Sequence, residues 1–285
     1  MFTLPDPHFR LPERRLGAWM LTVLCAGAGA QTAPPATQIP AVTVSAKANP
    51  NPVEKSYRKM VKGVDLFQRE NSLAPLATLR FKLLPRKHGT DMNTVTLAVI
   101  GETVDYTLPI AADHTFELPR DGQAYDQDAQ VVPNRRKLTM TWRTDIRTPG
   151  LPPHIRRLGD LRLECRVGME AGLISNSSSL LGKLVSALVD TPAYCDKQEP
   201  LYLFFADKPL RSVALVDGAR KRIWTHAQLY AQASGDPGMQ DNLSYCDCEV
   251  LLDRTYILPL GDSSWPDDSL VEFEYLGDKS PAEAR

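Results

Sequence analysis

The sequence is poor in the residues that usually carry chemistry. Five cysteines and five histidines stand among 285 residues. No histidine lies at HExxH, HxH or His-x₃-His spacing, which leaves no local metal motif. GxSxG, the Walker loop and a GxGxxG following a strand are also missing, which excludes the common nucleophile elbow, phosphate-cradling loop and dinucleotide fingerprint. Excess charge of one sign is absent too: the formal net charge is −1, so nothing draws the whole chain toward nucleic acid or a bilayer. Beyond residue 30 no apolar run is long enough to span a membrane, so no transmembrane segment is expected in the mature chain. These absences predict a protein without catalytic residues, metal or cofactor, and without a nucleic-acid partner.

What is present begins with an export signature. Arg14-Arg15 precede an uncharged run from Leu16 to Gly29, and Ala28-Gly29-Ala30 fits a small-residue cleavage site. Residues 1–30 therefore read as a signal peptide cleaved after Ala30, placing the mature protein in the periplasm. Lipidation at Cys25 is disfavoured by the bulk of Val23-Leu24 before it. Residues 31–52, rich in Pro, Ala, Thr and Asn, read as a flexible leader. Within them IPAVTVSAK resembles the short segment that follows the signal in TonB-dependent outer-membrane receptors, which points to a Gram-negative envelope.

Export changes the meaning of the cysteines. The mature chain keeps Cys165, Cys195, Cys246 and Cys248, an even number that in an oxidising compartment reads as two disulfides. Neighbours in Cys246-Asp-Cys248 splay apart on an extended strand, so each is expected to pair outward, one with Cys165 and the other with Cys195. Four thiolates on zinc, or redox chemistry, are the competing readings.

The mature chain then reads as mainly β: two small antiparallel β-sandwich modules, with an amphipathic helix before them and a helical insertion between. Apolar residues at Val53, Tyr57, Met60, Val61, Val64 and Phe67 share one helical face and predict a helix within 53–72. Module 1 (73–148) is built from ATLRFKLLP, NTVTLAVI, ETVDYTLPI, HTFELPR and KLTMTWRTDI. A linker and helical insertion follow (149–198); in this stretch LRLEC reads as a short strand and Leu180, Leu181, Leu184 and Leu188 as a helix face that includes Ser177-Ser178-Ser179. Module 2 (199–277) contains LYLFFAD, LRSVALVDG, KRIWTHAQLYA, CDCEVLLD, RTYILPLG and SLVEFEYLG, with Asp217-Gly218 as a tight turn. A disordered tail (278–285) ends the sequence.

One internal repeat stands out. The segment Asp113-His-Thr-Phe-Glu-Leu-Pro aligns with Asp253-Arg-Thr-Tyr-Ile-Leu-Pro, each followed by an acidic turn and another strand. The carrying residues Phe116, Leu118, Pro119 and Tyr256, Leu258, Pro259 resemble the aromatic-x-Leu-Pro strand of carboxypeptidase regulatory-like, prealbumin-like modules. That resemblance implies a scaffold or binding domain with no catalytic residues.

Candidate contact residues come from local charge and aromatics. Arg135, Arg136, Lys137, Arg143, Arg147, Arg156, Arg157, Arg162 and Arg166 face only Asp145, Asp160 and Glu164 in the same stretch. Such a patch suits an anionic polysaccharide, a lipid surface or an acidic envelope protein; internal pairing of these charges is the competing reading. Trp265, beside Pro266 in an acidic turn, is a candidate platform for sugar rings. The acidic turns Asp121–Asp128 and Asp262–Asp268 lack the ligand ladder of a calcium loop. The expected function is a non-enzymatic envelope binder; the alternative is a hydrolase acting on envelope glycan through dispersed carboxylates such as Asp126 and Asp267.

Overall fold

The computed structural model describes residues 53–173, 191–197, 202–229 and 249–277. The signal and leader, Ser177–Ser179, the leucine-rich stretch at 180–188, Cys246, Cys248 and the tail lie outside the described residues. The described fold is mainly β, with several antiparallel sheets and few helices.

Two runs of elements follow the same plan. The first is β1 (Lys55–Ser56), α1 (Tyr57–Arg69), β2 (Thr78–Pro85), β3 (Leu97–Ile100), β4 (Asp105–Leu108), β5 (Thr115–Phe116), the short α2 (Gly122–Asp126), β6 (Gln130–Pro133) and β7 (Met140–Arg147). The second is β8 (Ile155–Arg157), α3 (Leu158–Glu170), β9 (Phe204–Phe205), β10 (Leu210–Asp217), β11 (Arg220–Thr225), β12 (Thr255–Tyr256) and β13 (Leu270–Tyr275). One four-stranded sheet has the order β1-β6-β3-β4 and the other β8-β13-β10-β11; β5 pairs β2 as β12 pairs β9, and β7 adds a third strand beside β2.

The repeat extends to register. Lys55 and Val99 both sit opposite Val131, as Arg156 and Leu215 both sit opposite Val271. Phe116 faces Phe81 across its ladder and Tyr256 faces Phe204, with stacked ring centroids 5.6 Å and 5.3 Å apart. The first helical amide is held alike in both halves, Tyr57 N donating to Ala129 O and Leu158 N to Ser269 O, each at 2.8 Å. The Asp-x-Thr-aromatic-x-Leu-Pro segments thus occupy equivalent places, because an aromatic buried two residues before a Leu on the same face fills the same gap in each core. The Asp217-Gly218 signal is met by a two-residue hairpin between β10 and β11, with positive φ at Gly218.

Helix α1 starts at Ser56, whose hydroxyl accepts from Lys59 N, and turns Tyr57, Met60 and Val61 into a core with Leu83, Leu97, Phe116, Val131 and Trp142. Helix α3 serves a second core through Leu158, Leu161, Cys165 and Met169, packed with Val213, Leu215, Phe273 and Trp265. Its Leu163 and Val167 meet Leu66 of α1 and Ile146 of β7 in a third cluster. LRLEC is therefore helical and not a strand. Its alternation arises because α3 is buried against two different clusters, so apolar side chains two residues apart are both covered. The expected strand in CDCEVLLD is corrected as well: Glu249–Arg254 is a 3₁₀ turn. Among the described residues no helix is long and apolar enough to cross a membrane.

Candidate functional site

The arginine-rich stretch does not form one patch. Arg156 is buried, with Nη2 donating to Glu164 Oε2 at 2.5 Å and to Ile146 O at 2.6 Å, so it is an internal strut and not the surface contact expected for it. Arg147 pairs with Asp145 (2.8 Å) and Asp207 (3.1 Å), and Arg162 with Asp267 (2.6 Å). Arg166 bridges Glu70 (2.6 Å) and Asp196 (2.5 Å). The Arg143 guanidinium lies 4.6 Å from the centroid of the Phe205 ring. Arg157 is half-buried on β8 and makes no ion pair among the described residues. Internal pairing wins for most of the stretch because β7, β8 and α3 carry it between the two cores.

Trp265 is also corrected. Only 2% exposed, it belongs to the second core, and the Arg220 guanidinium covers its ring at 3.7 Å. A buried, already stacked indole offers no platform to a sugar.

The acidic turns have structural work. Asp121 caps α2 by accepting from Gln123 N and Ala124 N, and Asp128 accepts from Ser56 Oγ at 2.6 Å. Asp262 accepts from Ser264 Oγ and N, bonds that hold its carboxyl below the ordinary value. Asp267 holds Arg162, while Asp126 is exposed on α2. No group of three or more His, Cys, Asp or Glu among the described residues is placed to hold a metal ion.

Cys165 and Cys195 are bonded to each other, with Cα atoms 6.0 Å apart. This overturns the expected pairing of each with Cys246 or Cys248, which lie outside the described residues. Both sulfurs sit in the second core, where α3 meets the 3₁₀ turn Pro192–Asp196.

The exposed cations gather elsewhere. Strands β2 and β7 pair to their ends, Pro85 opposite Met140, so the loops leaving them emerge side by side. Arg86 N donates to Thr139 O at 2.8 Å, and Asn134 Nδ2 to Thr94 O at 2.9 Å. Arg135 clasps the two loops, its Nη2 donating to Thr94 Oγ1 at 2.6 Å and to Asp91 O. The result is one corner where Lys87-His88 and Arg135-Arg136-Lys137 meet, with Arg86 buried beneath them. Backbone and Thr94 bonds, helped by Arg135, keep the nearby Asp91 carboxyl below its ordinary value. His88, Arg136 and Lys137 are exposed, and their side chains make no hydrogen bond or ion pair among the described residues. The turn that presents Arg136 and Lys137 closes with Thr139 N and Oγ1 donating to Arg136 O, and holds Leu138 at φ +65°. Lys87 and His88 escaped the sequence reading because they lie some fifty positions before Arg135; the available signal was a basic triplet at each of two strand ends.

No protein-family model, curated protein or solved structure matches the chain.

Proposed function

We propose that this is an exported envelope protein, built from two repeats of an antiparallel β-sandwich module, that binds an anionic ligand or acidic partner without catalysing a reaction. The observation that carries the reading is the corner where Lys87-His88 meets Arg135-Arg136-Lys137 and where, among the described residues, Arg136 and Lys137 have no partner. Cations with no ion pair among the described residues meet a ligand without first breaking one there, and Arg136 suits bidentate contact with phosphate, sulfate or carboxylate. The compartment is supported by a buried disulfide together with the basic-apolar-small order of the first thirty residues. The scaffold role follows from the resemblance of the Phe116-x-Leu-Pro and Tyr256-x-Leu-Pro strands to carboxypeptidase regulatory-like modules.

Titration with dextran sulfate, followed by fluorescence anisotropy, tests the reading. Binding should weaken steadily with salt and be lost in Arg136→Glu/Lys137→Glu. A double variant that binds like the parent would overturn it.

A further inference from the structure

Beside Arg136 and Lys137 stands a residue that charge alone does not explain. Leu138 is 51% exposed at the tip of the turn, next to Lys137 and two positions after Arg136. Its φ of +65° is a conformation that disfavours side chains bearing Cβ and that Gly or Asn adopts more easily. The tip therefore presents an apolar side chain to solvent in a backbone geometry ill suited to it, although a Gly would close the same turn with less strain. The loop beneath is fixed, since Arg135 and Asn134 bind it to residues 91–96.

We infer that this tip docks on an anionic phospholipid surface. Arg136, Lys137 and His88 lie where headgroup phosphates would be, and Leu138 enters the boundary between headgroups and acyl chains. The inference rests on the anion-binding reading and adds to it the class of ligand. A soluble polyanion uses only the charges of this corner; a lipid leaflet uses the charges and the apolar tip together. The formal net charge of the whole sequence is −1, so the residues other than the corner's cations are net acidic and the corner is the feature that orients approach to an anionic surface.

The test is co-sedimentation with vesicles of phosphatidylglycerol mixed with phosphatidylcholine, and with phosphatidylcholine alone, run beside the dextran sulfate titration. All variants share one N-terminus, so differences between them report the tip. The decisive variant is Leu138→Gly, which suits the positive φ and so keeps or improves folding. The parent should bind the phosphatidylglycerol vesicles and not phosphatidylcholine alone. Leu138→Gly should weaken vesicle binding by about fivefold, in line with losing half a leucine's burial, and leave dextran sulfate binding unchanged. Arg136→Glu/Lys137→Glu should lose both. If dextran sulfate binds and the vesicles do not, or if Leu138→Gly binds vesicles like the parent, the lipid inference falls while the anion reading stands. If neither probe binds, both fall.

Discussion

Arg156 and Glu164 form a buried ion pair that serves as the missing neighbour of a β-strand. Among the described residues strand β7 pairs with β2 on one side only. On its open side Ile146 N donates to Glu164 Oε2 at 3.3 Å, and Ile146 O accepts from Arg156 Nη2 at 2.6 Å. The two side chains come from β8 and α3, so the pair fastens the second half of the fold to an edge of the first. Burial pushes the Glu164 carboxyl above its ordinary value, while Arg156 and the Ile146 amide act against that shift. Arg156→Met removes the counter-ion and leaves Ile146 O unserved, so a loss of about 3–5 kcal/mol is expected in urea denaturation. Replacing both partners, Arg156→Met/Glu164→Leu, should recover much of it. A single variant within about 1 kcal/mol of the parent would show that the pair does not hold this edge.

A second link between the halves depends on pH. Asp207 accepts from Lys82 of β2 at 2.9 Å and pairs with Arg147 of β7. Burial alone would raise its carboxyl; Arg147 and Lys82 outweigh that and hold it below the ordinary 3.8. A lowered folded value means the unfolded chain binds this proton more readily. The contribution is therefore complete above the unfolded carboxyl value and is lost as pH falls through the folded one. Asp207 is part exposed, so screening limits the effect at neutral pH to about 0.5–1 kcal/mol. Asp207→Asn should flatten the acid side of the stability profile. An unchanged acid limb would remove Asp207 from the account.

The disulfide joins α3 to a turn thirty residues on. Closing a loop of that length stabilises by about 3–4 kcal/mol in the chain-entropy treatment. Cys165→Ala/Cys195→Ala should lower stability by that order. A non-reducing tryptic map of the exported protein should show the peptides of Cys165 and Cys195 linked. Finding Cys165 linked instead to the peptide of Cys246 and Cys248 would contradict the pairing.

Much of the β architecture was legible. Strands β2, β3, β7, β10 and β13 fall where alternation placed them, and the shared Asp-x-Thr-aromatic-x-Leu-Pro spacing led to two runs with the same sheet order. Helix α3 was not legible, since a helix covered by two clusters loses its polar stripe and its alternating Leu161, Leu163 and Cys165 imitate a strand. The proposed contact surface was half legible. Counting charge along the chain found Arg135, Arg136 and Lys137, but it also gathered Arg147, Arg156, Arg162 and Arg166, whose acid partners are mostly distant in sequence. Trp265 misled for a similar reason: Arg220, which covers it, arrives from a different strand.

Close packing of the start of α3 gives a further check. A Cβ built on Gly159 would lie 1.9 Å from Leu73 O, with Asp267 Cβ on another side at 3.1 Å. The backbone there cannot yield cheaply, so Gly159→Ala should cost about 2–3 kcal/mol in thermal or chemical unfolding. Tolerance of alanine within a few tenths of a kcal/mol would mean the helix does not approach residue 73 so closely.

The central claim, that the corner of Arg136 and Lys137 is the contact surface, is tested most directly by comparing two charge reversals of equal size. Arg136→Glu/Lys137→Glu changes cations that have no partner among the described residues. Arg220→Glu/Lys221→Glu changes cations already engaged with Trp265 and Glu272. In low salt, anisotropy titration with dextran sulfate should show binding abolished by the first pair and largely kept by the second. Equal weakening by both would mean that bulk charge, and not this corner, governs association.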